Sequence, residues 1–155
     1  MATRRLPSWA YRLIGWFGTS RPVATAHAWL YRRIGGRGPL GRSFGVAMIM
    51  VAMTGARTGL PRDVPLFGVE DGPGRHLVIG SNAGREKAPA WIANLRAHPD
   101  VRVLAGRASY TARARELEGE ERERAWARAV AAYPGYADYA SWTTRRIPVF
   151  VLEPA

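Results

Sequence analysis

The 155-residue chain has no cysteine. That absence excludes disulfides, thiolate catalysis, zinc–cysteine sites and iron–sulfur clusters, and makes a reducing cytoplasm the expected compartment. Histidine is sparse. His27, His76 and His98 lie far apart with no ligand spacing, so no metal site is expected. Acid is missing from the first third, where no Asp or Glu precedes Asp63. Lysine occurs once, at Lys87, although Lys and Arg together number 23. No segment approaches the about 20 apolar residues that span a bilayer. The start, "MATRRLPSWAYRLIGWFG", lacks a continuous apolar core with a small-residue cleavage site, so a secreted chain is not expected.

What is present is one domain's length of chain with a formal net charge of +11. The arginine excess reflects either an arginine-favouring genome or an anionic partner, phosphate-bearing ligand and anionic membrane surface alike. Leu6, Trp9, Leu13, Trp16 and Phe17 recur at helical spacing beside Arg4, Arg5 and Arg12. Val23, Ala26, Leu30 and Ile34 repeat the pattern. These are either two helices packed on the domain or a basic amphipathic surface for a membrane interface. Residues 1–43 therefore read as N-terminal helices and a Gly-rich linker, and residues 44–155 as the main domain.

In that domain "FGVAMIMVAM", "RDVPLFGVE" and "RHLVIGSN" read as strands, the last two joined by the turn "DGPG". "APAWIANLRAHP" reads as a helix between Pro89 and Pro99. "VRVLAG" and "ASYTARARELEG" read as a hairpin, "EERERAWARAVAAYP" as a helix with acids in its first turn, and "IPVFVLEP" as the closing strand. The expected fold is an α+β barrel of about six strands with inserted helices, not a βαβ array.

Several nominal motifs carry no chemistry. "GRGPLGRS" contains G-x-G-x-x-G, but the order is helix, glycines, strand, whereas a nucleotide fingerprint needs strand, glycines, helix. "GSNAG" lacks the order of a nucleophile elbow. The acids from Glu116 to Glu123 flank a helix start. What remains is "TGARTGLPR", in which Arg57 and Arg62 supply charge, Thr54 and Thr58 hydroxyls, and Gly55 and Gly59 close backbone approach. Such a turn is either an anion-binding nest or a surface hairpin with incidental arginines. Tyr133, Tyr136, Tyr139 and Trp142 alternate with small residues in "AYPGYADYASW" and are suited to wall a pocket for a flat ring. Cations, aromatics and no catalytic acid, base or nucleophile point to a bound cofactor that carries the chemistry.

"TGARTGLPRDVPLFGVEDG", "SNAGREKAPAWIANLRAHPDVRV" and "YPGYADYASWTTRRIPVFVLEP", in that order, resemble the deazaflavin-dependent nitroreductase family, actinobacterial and related oxidoreductases that use coenzyme F420. "AWLYRR" extends the resemblance toward the N-terminus. It implies a split β-barrel of about six mainly antiparallel strands, as in flavin reductases and FMN-binding proteins. It implies a cofactor site in which Arg57, Thr58 and Arg62 hold the anionic tail and Val64, Pro65, Leu66 and Phe67 line a groove. Ser81, Asn82, Ala90, Trp91, Ile92 and Asn94 would lie beside the ring, and Phe67, Tyr133, Tyr136 and Tyr139 around the substrate. The implied reaction is hydride transfer from reduced F420 to a quinone or nitroaromatic acceptor, with Ser81 or Tyr136 donating a hydrogen bond to the developing oxyanion. Ala56 departs from the family's usual basic residue and Phe67 from a frequent tyrosine. The resemblance implies a cytoplasmic enzyme, monomeric or weakly oligomeric, on or off the inner face of the membrane. FMN as the cofactor is one alternative. A nucleic-acid-binding protein is another, disfavoured because the arginines do not interleave with aromatics on any strand.

Overall fold

The structure is a computed structural model, described for Pro7, residues 9–11, Ala26, Trp29, Leu30, Arg33, Arg42, Ser43 and residues 45–155. The amphipathic pattern built on Leu6, Leu13, Trp16, Phe17, Val23 and Ile34, and the glycines of the expected linker, lie outside the described residues.

Strand β1 is Arg42–Ser43, β2 Val46–Thr54, β3 Pro61–Glu70 and β4 His76–Ile79. Helix α1 is Ala90–Ala97, followed by β5 Asp100–Ala105, β6 Ala108–Glu116, α2 Gly119–Ala132, α3 Gly135–Ser141 and β7 Val149–Pro154. The strands run in the order β1-β2-β3-β4-β7-β6-β5, and β5 pairs back onto β2 to close a barrel. All pairings are antiparallel. β1 pairs with Val46 and Ala47, so the sheet begins inside the segment expected to be linker, two residues before the expected boundary at 44.

β2 is apolar on both faces, which is why its sequence reads as a continuous hydrophobic run. Ile49, Val51 and Met53 join the interior cluster with Val78, Val103 and Phe150, while Met48 and Met50 pack with Phe67 and Leu104 on the other face. β3 pairs with β2 from Pro61 to Gly68, but with β4 only at Val69 and Glu70. Among the described residues the other edge of β3 therefore has no ladder partner along most of its length. This short seam is the split in the barrel.

Helix α1 closes the Met53 end of the interior with Trp91, Ile92 and Leu95. At the Ile49 end, His76 and Tyr110 meet, with His76 Nδ1 2.7 Å from the Tyr110 hydroxyl and the rings stacked. A second core lies beneath α2 and α3, where Leu77, Ile79, Val149 and Val151 meet Ala125, Ala129 and the tyrosines of α3. Tyr11 belongs to this same cluster, so part of the expected N-terminal unit is built into the main domain's core. Arg128, Asp71, Arg75, Glu153, Arg115 and Glu121 form an alternating chain of ion pairs. It ties α2 to the β3–β4 turn and to the ends of β6 and β7. Among the described residues, no helix is long and apolar enough to cross a membrane.

Candidate active site

The basic turn leaves β2 at Thr54 and enters β3 at Pro61. Its backbone closes on itself: Gly55 N–H donates to the Leu60 carbonyl at 2.9 Å and Gly59 N–H to the Gly55 carbonyl at 2.8 Å. Thr58 Oγ1 accepts from Leu60 N–H and lies where a β-carbon on Gly55 would clash, at 2.7 Å. Gly59 has φ +65°, a left-handed conformation that glycine adopts without strain. Ala56 N–H donates to Asn94 Oδ1 at 2.9 Å, which ties the turn to α1. The N–H groups of Arg57 and Thr58 find no acceptor among the described residues.

The two arginines of this turn differ from seven others among the described residues. Arg75, Arg96, Arg113, Arg115, Arg122, Arg124 and Arg128 are each paired with a carboxylate. Arg57 and Arg62 are exposed and have no carboxylate partner among the described residues. Arg62 makes only a 3.4 Å bond to the Pro61 carbonyl. Two solvated guanidiniums beside free N–H groups leave positive potential unneutralised at the end of the barrel.

The second part of the site is the end of β4. Gly80 lets the chain pass α1 closely, since a β-carbon there would lie 2.6 Å from Ile92 Cδ1. Ser81 is right-handed (φ −71°, ψ −33°), and Asn82, Ala83 and Gly84 then have φ +46°, +55° and +75°. A right-handed residue followed by a left-handed one turns successive N–H groups to one side and forms an anion-binding nest. Asn82 and Ala83 N–H find no acceptor among the described residues. Asn82 uses its side chain to donate to the Lys87 carbonyl at 2.6 Å. Gly84 packs against α3, where a β-carbon would meet the Tyr139 carbonyl at 2.9 Å.

Helix α1 thus brings two of the expected groups together, holding the basic turn through Asn94 and the strand end through Ile92. Trp91 is buried in the barrel and lies edge-on to Phe150, while Ala90 is exposed at the first position of the helix. The pleat divides the expected groove residues: Val64 and Leu66 pack on the interior cluster, whereas Phe67 points outward onto Tyr133, ring centroids 5.4 Å apart. Pro65 shares the face of Phe67 by alternation.

"AYPGYADYASW" is mainly helix α3, and its tyrosines, expected to wall a pocket for a flat ring, are instead buried inward. Tyr133, Tyr136 and Tyr139 are 1, 3 and 4% exposed. They pack as a core cluster with Tyr11, whose ring meets Tyr133 edge-on at 5.4 Å. The hydroxyls separate them. Tyr133 and Tyr139 share a hydrogen bond of 3.0 Å, and Tyr139 also donates to the Tyr11 carbonyl. Among the described residues the Tyr136 hydroxyl has no hydrogen-bond partner, and neither does that of Ser81, a residue 7% exposed. Burial pushes the Tyr136 phenol well above its usual value, so it remains a proton donor. Burial pushes Tyr133 up as well.

Sequence reasoning missed Arg145, Glu86 and Ala83. Arg145 donates to the carbonyls of Gly80, Ser81 and Arg85 at 2.9, 2.7 and 2.9 Å. Glu86 accepts from the Thr144 N–H and hydroxyl, and the N–H bond holds its carboxyl below the usual range. Nothing in "TTRR" distinguishes Arg145 from Arg146, and alanine gives no sign of a left-handed backbone. A shallow recess of about 520 Å³ lies at the foot of the basic turn, lined by Ala52, Thr54, Pro61, Arg102 and Thr111 among others. It shares Thr54 and Pro61 with the ends of the basic turn but contains none of Arg57, Arg62, Ser81 and the buried tyrosines.

A closed antiparallel order opened by one short seam defines the chain as a split β-barrel. A sequence model described as "F420H(2)-dependent quinone reductase" matches residues 23–154. The chain belongs to that family. It is 34% identical over 107 residues to the F420H(2)-dependent quinone reductase Rv1261c of Mycobacterium tuberculosis, a match covering 67% of this chain and 71% of that protein. It is 37% identical to Rv3178 of the same organism over 78 residues, covering 50% of this chain and 66%, just under two thirds, of that protein. Among solved structures it resembles an F420-H2 dependent reductase, FDR-A, at 44% identity and TM-score 0.64, covering 68% of this chain and 93% of the other.

Proposed function

We propose that this chain is an F420H2-dependent reductase of quinones, with nitroaromatic compounds as further acceptors. Family membership supports the class of reaction. The observation that carries the reading to this chain is the pair Arg57 and Arg62, left without carboxylates on a turn that Asn94 anchors to α1.

The residues fit an anionic deazaflavin. Arg57 and Arg62, with the free N–H groups of Arg57 and Thr58, would hold its phosphate and carboxylate groups. Val64, Pro65, Leu66, Ala90, Trp91, Ile92, Asn94 and Asn82 would form the walls along the barrel end, and Phe67, Tyr133, Tyr136 and Tyr139 the acceptor's side. When bound, the reduced cofactor would supply a hydride, which a quinone takes up with one proton to become the hydroquinone.

The protein's task is then to orient the acceptor, exclude water and stabilise charge on the acceptor oxygen. Ser81 and Tyr136 are the candidate donors, since both residues are buried and neither hydroxyl has a hydrogen-bond partner among the described residues. The nest N–H groups of Asn82 and Ala83 would add to them. Steady-state assays with F420H2 and either menadione or a nitroaromatic test the acceptor. Turnover with menadione alone would remove the nitroaromatic part of the proposal.

A peripheral membrane contact has one observation in its favour: Trp9 and Trp29 are 63 and 61% exposed, and the Arg33 guanidinium lies 5.3 Å from the Trp29 ring. Deleting residues 1–20 should then reduce sedimentation with anionic liposomes. Unchanged sedimentation would remove that contact.

A further inference from the structure

We propose that Arg145 is a positioning residue, which fixes the direction of the Ser81–Gly84 turn by holding its carbonyls from behind. This rests on the reading of Ser81 as a donor to the acceptor oxygen.

Three consecutive residues with positive φ are rarely stable on their own, because each left-handed non-glycine residue crowds its β-carbon against the backbone. Asn82 tolerates this conformation and Gly84 is indifferent to it, but Ala83 at φ +55°, ψ +35° has no local compensation. Such strain persists only where the surroundings over-determine it. Here the surroundings are the segment after α3. Arg145 Nη2 donates to the Gly80 and Ser81 carbonyls, and Nε donates to that of Arg85. Glu86 is fastened to Thr144 by two hydrogen bonds. Gly84 lies against Tyr139 and Trp142 too closely for any β-carbon.

The clamp has a directional effect. All peptide bonds among the described residues are trans, so the N–H of each peptide points opposite to its carbonyl. Holding the Ser81 carbonyl therefore aims the Asn82 N–H away from Arg145, and holding the Gly80 carbonyl does the same for the Ser81 N–H. The guanidinium is partly buried, faces three carbonyls, and leaves Nη1 buried with no acceptor among the described residues. Burial lowers its proton affinity, with Glu86 opposing.

The test uses R145Q, R145K and the double variant R145Q/A83G. In the cofactor-free protein, trypsin cleavage after Arg85 and Lys87 should rise about tenfold in R145Q at temperatures where circular dichroism shows an intact fold. With F420H2 and menadione, kcat should fall about a hundredfold, while F420 affinity, carried by Arg57 and Arg62, stays near wild type. R145K should fall between. Adding A83G removes the left-handed penalty and should recover about tenfold in kcat, read at a temperature where circular dichroism shows both variants fully folded, so that added global stability cannot give the rescue. Cleavage and kcat both at wild-type values in R145Q would overturn the proposal, as would a loss that A83G does not relieve. If R145Q does not fold, R145K decides by the same two readings. A wild type without F420H2-dependent turnover would sink the functional reading, while the cleavage comparison would still judge the clamp.

Discussion

The side-chain oxygen of Asn94 accepts the N–H of Ala56 at 2.9 Å, across 38 positions of sequence. Through this bond a helix that plugs the barrel also sets the position of the basic turn. The same amide lies 3.6 Å from Met53 Sδ, in the strand that leads into the turn. The direction of the two arginines is therefore governed by backbone and amide geometry, with no ion pair to hold either one.

Replacing Asn94 by Ala leaves a half-buried N–H without a partner. The expected loss is about 1–3 kcal/mol of folding stability, measured by urea denaturation, together with weaker F420 binding. Asn94→Asp keeps an acceptor and should recover most of the stability. Equal losses in the two variants would show that the bond itself contributes little.

Arg57→Ala and Arg62→Ala should each weaken F420 binding about ten- to hundredfold, since a charge-assisted hydrogen bond is worth about 1.5–3 kcal/mol. Neither arginine has an internal carboxylate to leave behind, so thermal stability should hardly change. Affinity should also fall with added salt, because both groups are solvated. Fluorescence titration across a salt series reads both effects. A salt-independent affinity would place the anionic contact elsewhere.

Ser81→Ala and Tyr136→Phe each remove a hydroxyl that bonds to nothing among the described residues, so melting temperatures should stay close to wild type. A loss of kcat can then be assigned to the reaction. For a donor to a developing oxyanion it is about 10²–10³-fold. By contrast, Tyr139→Phe breaks the pair with Tyr133 and should lower stability. If both Ser81→Ala and Tyr136→Phe turn over menadione at the wild-type rate, neither hydroxyl is the donor.

Burial lowers the proton affinity of His76 below its usual pKa of 6.5, with nearby Glu70 opposing. Between the lowered folded value and 6.5 the unfolded chain binds the proton and the folded chain resists it. Stability should therefore decline as pH falls below about 6.5. Glu116, held below 4.5 by its bond to Arg96, contributes to acid loss only lower in pH. In His76→Gln the first decline should flatten while the second remains. An unchanged profile above pH 5 would mean that His76 accepts its proton without penalty.

The barrel was legible because its strands carry local signals: the apolar run of β2, the "DGPG" turn and the alternation in β6. The basic turn was legible for the same reason, since charge, hydroxyls and glycines fall within nine residues. The tyrosines were legible as a group but not in their burial. "GYADYAS" is only seven residues long and opens on a glycine, too short to announce a helix, and Tyr11 fills their cluster from more than 100 positions away. The Arg145 clamp was illegible. Its partners are carbonyls, which every residue has, and its target is a backbone strain that no side chain reports.

The most direct test of the account is fluorescence titration of the purified protein with F420 and with FMN, followed by absorbance-monitored oxidation of F420H2 on adding menadione. The account predicts saturable F420 binding that weakens in Arg57→Ala and Arg62→Ala, no comparable FMN binding, and menadione-dependent oxidation. A protein that binds FMN, ignores F420 and leaves F420H2 unoxidised would contradict it.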